Sequence, residues 1–190
     1  MLRLAAAMTV LLAAPRALPA RTKARFPAVL VHHVNTNQEV RFALYDAKGH
    51  PQRAELRRME KLLRCHHTGK GHRMHWRLMQ LLYRVARHYP AQRLDVVAGY
   101  RDPRIAKDKG VPKSNHTRGR AVDFRVPGVK NEDLRDFLRT FPKVGVGYYP
   151  NSTFVHLDVR DDRGAYWVDA SGPGETAHYE REEEPPHASR

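Results

Sequence analysis

A single cysteine, Cys65, stands among 190 residues, which excludes an intrachain disulfide framework and any multi-cysteine zinc finger. No stretch of about 20 apolar residues occurs, so the chain holds no ordinary membrane-spanning helix. Acids are scarce: 20 against 34 lysines and arginines, for a formal net charge of +14. So basic a chain is expected to meet anionic partners, either nucleic acid or an acidic cell-envelope polymer, and the charge alone does not choose between them. Internal repeats are also absent. What is there suits a folded protein. Hydrophobic residues make up 41% and charged residues 28%, enough apolar surface for one compact domain and a balance unlike that of a disordered chain.

The ends differ from the middle. Residues 1–20 join Arg3 to the apolar run Leu4–Ala14, then Pro15 and the small residues around Ala17 to Ala20. This is the pattern of an export signal, too short to span a bilayer; the competing reading is a buried N-terminal helix. No cysteine follows the run, so a lipoprotein anchor is not expected. Residues 171–190 are rich in glycine, proline and charge without apolar periodicity, and are expected to form a disordered polar tail. The domain is expected over 21–170.

Within it, Val29–His33 and Glu39–Tyr45 are β-prone runs flanking Asn35-Thr36-Asn37, a hairpin pattern. Leu56, Met59 and Leu63, then Leu78, Leu81, Leu82 and Val85, recur at helical spacing. Leu94–Ala98 reads as a strand. Asn131 is placed to cap a third helix with Leu134, Phe137, Leu138 and Phe141 on one face. With two further strands, Arg120–Val126 and Thr153–Val159, the expected fold class is α+β, with helices packed on a small antiparallel sheet.

Those last two strands carry the chemistry. Side chains alternate along a strand, so Val122, Phe124 and Val126 face a core while Asp123 faces away beside the small Ala121. Gly119 permits a tight turn returning His116 over the face of Asp123. In the second strand Val155, Leu157 and Val159 are the core side, which leaves His156 and Asp158 together on the other. If the strands are neighbours, His116, Asp123 and His156 converge. Two imidazoles and a carboxylate form the ligand set of an open zinc site; a polar surface with two accidental histidines would show the same alternation.

Ser114 to Phe124 resembles the Ser-x-His-x-x-Gly-x-Ala-x-Asp motif of the zinc D-Ala-D-Ala carboxypeptidase/dipeptidase superfamily, which includes LAS-type murein endopeptidases and the hedgehog signalling domain. Val144–Val159, Ala98–Arg104 and Trp167 resemble its murein endopeptidase K branch more closely. The resemblance implies a hedgehog/D-Ala-D-Ala-peptidase-like fold, with His116, Asp123 and His156 as ligands of Zn2+. It implies that Arg101 meets a substrate carboxylate and that Ser114 supports the site by hydrogen bonding. Several branches carry a glutamate three residues, or a histidine two residues, before the last histidine; here those positions are Thr153 and Phe154. Asp158 is the nearest remaining carboxylate, either as catalytic base or as the partner that orients His156. Tyr148 and Tyr149 follow Val144-Gly145-Val146-Gly147 either as packing aromatics or with one of them, Tyr148 by preference, at the cleft rim on the stem peptide or the oxyanion.

The function so implied is that of an exported zinc peptidase cutting peptidoglycan stem-peptide cross-links in the periplasm or cell envelope of a bacterium. A zinc-stabilised wall-binding module without catalysis and a D-Ala carboxypeptidase are the alternatives. A nucleic-acid partner would demand steep salt dependence and no zinc, and the motifs argue against it. Cys65, His66, His67, His72 and His75, clustered between the first two helices, are expected to be a solvated helix end rather than a second metal site. The crowd of Arg53, Arg57, Arg58, Lys61 and Arg64 reads as a solvated face.

Overall fold

Alternation along Val122–Val126 and Val155–Val159 makes these two runs adjacent antiparallel strands at the centre of the sheet. In a computed structural model that describes residues 25–89, 93–108, 114–172, 175 and 178–180, the elements follow in order. They are β1 (Val29–His33), β2 (Gln38–Phe42), α1 (Arg53–Leu62), α2 (Trp76–His88), β3 (Leu94–Ala98) and α3 (Pro103–Asp108). A 3-10 turn (Asn115–Arg118) leads into β4 (Ala121–Arg125), α4 (Asn131–Arg139), β5 (Val144–Tyr148), β6 (Val155–Val159), β7 (Ala165–Asp169) and β8 (Tyr179–Glu180). The strands lie in the order β2-β1-β3-β4-β6-β5-β7-β8.

The fold is α+β, but the sheet is mixed and larger than the small antiparallel one expected. Its centre, β3-β4-β6-β5, is antiparallel, whereas β1 pairs with β3 and β5 with β7 in parallel. The first parallel pair exists because α1 and α2 supply the crossover that parallel strands need. The second arises because β7 docks on the far side of β5 from β6, a strand that the sequence pattern did not mark.

Helix α2 presents Leu78, Leu81, Leu82 and Val85 to the core as their spacing requires. Each fully buried side chain of this size contributes roughly 1.5–3 kcal/mol of transfer free energy. Arg87 and His88 in its last turn complement the helix dipole. Helix α4 lies under β5 and β6 with Leu134 and Leu138 buried. Asn131 does not cap it: Lys130 occupies the cap position, and the Asn131 amide donates instead to the Ser152 carbonyl at 3.1 Å, tying α4 to the β5–β6 connection. The start of helix α3 is set locally. The Asp102 carboxylate accepts from the Arg104 backbone N–H at 3.1 Å, and Pro103 takes the first helical position, a start signal of N-cap plus proline.

The N-terminal 1–20 segment lies outside the described residues, as does most of the tail. Where the tail is described, Tyr179–Glu180 pairs with β7, departing from the irregular chain expected there. The Asp169 carboxylate accepts the backbone N–H groups of Ser171 and His178, and Ala170 donates to the His178 carbonyl, so the chain folds back onto the sheet edge.

At the end of β3, Gly99 lies against the last turn of α1: a β-carbon there would sit 2.5 Å from the Leu63 carbonyl oxygen. The Tyr100 N–H donates to that same oxygen at 2.7 Å, so neither backbone has room to retreat. Gly99→Ala is therefore expected to lower stability in chemical denaturation by about 1–3 kcal/mol. Gly71→Ala, where an added β-carbon meets nothing within 4 Å, is expected to stay within about 0.5 kcal/mol of the parent.

Candidate metal centre

Pairing of β4 with β6 sets Asp123 opposite His156 and Ala121 opposite Asp158. Residues paired across a sheet share a face, so the polar side chains of both strands stand together, away from the helices. The next strand leaves space for them. Gly145 and Gly147 of β5 pair with Asp158 and His156; a β-carbon at Gly145 would run into the Asp158 carboxylate, and one at Gly147 would meet the Trp167 indole at 2.7 Å. The indole lies 5.1 Å from the His156 ring.

His116 arrives from the 3-10 turn. The Ser114 hydroxyl accepts the His116 backbone N–H at 3.3 Å, and Gly119, at φ 63°, ends the turn in the left-handed region that glycine adopts without strain. The His116 Nδ1–H donates to the Gly99 carbonyl at 2.7 Å. Across the site, the His156 Nε2–H donates to Asp158 at 3.1 Å. Each bond assigns the proton to the outer ring nitrogen, because a carbonyl and an ionised carboxylate only accept.

The inner nitrogens, His116 Nε2 and His156 Nδ1, therefore present lone pairs to each other at 3.1 Å. Asp123 Oδ1 completes a triangle, 3.2 Å from His116 and 2.8 Å from His156. All three residues are buried. Three converging acceptors repel one another unless a cation sits among them. Tetrahedral ligands at about 2.0–2.1 Å from zinc lie about 3.3 Å apart, close to the spacing observed. Among the described residues, no other group of three histidine, cysteine or acidic side chains converges in this way.

Electrostatics point the same way. Burial disfavours a charged His156, yet hydrogen bonds and charge from Asp123 and Asp158 raise it to about 9; the same two carboxylates would favour a cation among the converging atoms. Burial likewise works against an ionised Asp123, but His116 and His156 hold it well below the usual carboxylate range.

Arg101, just beyond β3, donates its backbone N–H to the His116 carbonyl at 3.2 Å and sets its guanidinium 3.6 Å from Asp123. It opens into a cavity of about 290 Å3 lined also by Cys65, His66, His67, Asp123 and Phe154. The loop expected as a solvated helix end thus forms one wall of this cavity: Cys65 is buried, and the His66 and His67 rings meet at a tilt with centroids 4.0 Å apart.

Two candidate residues stand away from the converging atoms. Asp158 stands behind His156, on the side of the ring away from the converging atoms, where Arg160 grips both its oxygens at 2.9 and 3.2 Å. Burial opposes its ionisation, but His156 and Arg160 hold it at about 2. In this position the carboxylate touches the outer nitrogen of His156 and not the converging atoms, as the orienting role requires. Tyr148 points to the helix face: it donates to Glu132 of α4 at 2.5 Å and lies under the Arg135 guanidinium. The strand period puts Tyr149, not Tyr148, on the face of Gly145 and Gly147. Arg160 was missed, although it follows Asp158 by two on an extended run, a spacing that places both on one side.

Comparison with known proteins follows this geometry. A family profile described as peptidoglycan L,D-endopeptidase MepK matches residues 21–165. A probable peptidoglycan L,D-endopeptidase MepK of Haemophilus influenzae is 29% identical over 154 residues, 76% of this chain and 82% of the relative. The peptidoglycan L,D-endopeptidase MepK of Escherichia coli K12 is 29% identical over 141 residues, 70% of this chain and 77% of the relative. No solved structure gave a significant match. With the profile running through Arg101, Ser114 and all three converging side chains, the chain belongs to the peptidoglycan L,D-endopeptidase MepK family.

Proposed function

We propose that this protein is a zinc-dependent peptidase that hydrolyses peptide cross-links of bacterial peptidoglycan, acting outside the cytoplasmic membrane. The observation that carries the reading is the triangle of acceptors, 2.8–3.2 Å on a side, beside an arginine-lined cavity in a member of the MepK family. Two imidazoles and one carboxylate suit zinc, with a position left open for reaction. The names of the relatives point to an L,D peptide bond. Export rests on the 1–20 pattern, leaving 21–170 as the peptidase domain and 171–190 as a tail. The high net charge suits an anionic wall.

Zinc, when bound, supplies Lewis-acid polarisation of the scissile carbonyl and activates a water near neutral pH. The chain's residues do the rest. His116 is held by the Gly99 carbonyl, and the turn carrying it by Ser114. Asp158, pinned by Arg160, orients His156 and keeps its Nδ1 lone pair turned inward. Arg101 offers a planar, permanently charged fork to a carboxylate of the stem peptide, a contact that arginine makes in two-pronged form and lysine does not.

Purified protein is expected to bind one zinc per chain and to convert cross-linked muropeptides to shorter products, with chelated protein and His116→Ala both inert. Mass spectrometry of the products identifies the bond and separates endopeptidase from carboxypeptidase action; zinc binding without turnover would instead mean a wall-binding module. For Asp158→Asn, zinc affinity is expected to fall about 10–100-fold, with most of the turnover recovered when zinc is in excess. Turnover lost at full zinc occupancy would make Asp158 the base after all.

A further inference from the structure

We propose that Tyr149 is a catalytic residue, its phenolic O–H donating a hydrogen bond to the scissile carbonyl oxygen as negative charge builds there. This rests on the peptidase reading above. Tyr149 follows β5 directly, and the alternation that turns Gly145 and Gly147 toward the metal ligands turns it the same way. Extending the register by one step from Tyr148 opposite Val155 sets Tyr149 opposite Phe154, and their rings are 5.1 Å apart. Phe154 lines the cavity with Arg101 and Asp123, so the tyrosine stands at the border of the space a substrate would enter.

The Trp167 side chain lies within reach of the phenol; an indole N–H only donates, so such a contact leaves the phenol's own proton available. The same indole lies against His156 and thus joins the tyrosine to a metal ligand through one rigid ring. Removing one preorganised donor of this kind costs about 10²–10³ in turnover.

The test compares zinc-loaded wild type, Tyr149→Phe and Tyr148→Phe on one cross-linked muropeptide. Tyr149→Phe is expected to lose about 100-fold in kcat with KM, zinc stoichiometry and melting temperature unchanged. Its affinity for a phosphinate analogue of the scissile bond should fall by a similar factor, and its affinity for the product peptide should not change. Tyr148→Phe should keep its kcat. A Tyr149→Phe enzyme as fast as wild type, or one whose loss follows zinc loss, overturns the inference while leaving the peptidase reading in place. An inert wild type overturns both.

Discussion

The register between β4 and β6 is the constraint from which the site follows. Asp123 and His156 meet because they are directly paired, and a slip of one residue would turn one partner's entire polar set into the core. The apolar positions forbid that slip: Val122, Phe124, Val155 and Leu157 are all fully buried on the other face. Packing against the helices therefore fixes the chemistry on the open face, although none of the packing residues touches it. The hydrophobic effect sets the register, and the register sets Asp123 and His156 side by side.

Around that pair, each histidine is steered through its outer nitrogen. The Gly99 carbonyl selects the tautomer of His116, and the Asp158 carboxylate selects that of His156. The support extends outward, since Arg160 holds Asp158 while its own carbonyl accepts from Arg77 of α2, which also reaches the carbonyls of Pro142 and Lys143. The burial cost of an ionised Asp158 is offset by these charge-assisted bonds. A histidine anchored in this way spends little conformational entropy on meeting a cation.

Much of this was legible in the chain itself. Strict alternation in Val122–Val126 and Val155–Val159 announces both strands and assigns Asp123, His156 and Asp158 to one face without any structure. The helical spacing of Leu78, Leu81, Leu82 and Val85 is as direct. Less legible were features that depend on who sits next to whom. Alternation says that Asp158 shares a face with His156, yet not that it lies on the far side of the ring. It equally distinguishes Tyr148 from Tyr149 only once β5 is known to start at Val144. β7 escaped notice because Ala165–Asp169 mixes small, aromatic and acidic residues without a clean period, being half exposed at the side of the sheet. α3, six residues long, is too short for an apolar period and carries only the local start signal Asp102-Pro103.

The bare face of β5 has a structural consequence of its own. A strand that shows two glycines to the site contributes a floor of backbone, and the side chains lying on it, Asp158 from one neighbour and Trp167 from the other, are loaned across it from opposite directions. β5 thus works as a spacer that sets how near a ligand-bearing strand and an indole-bearing strand may come. The depth of this polar face is therefore written in the two side chains that β5 lacks.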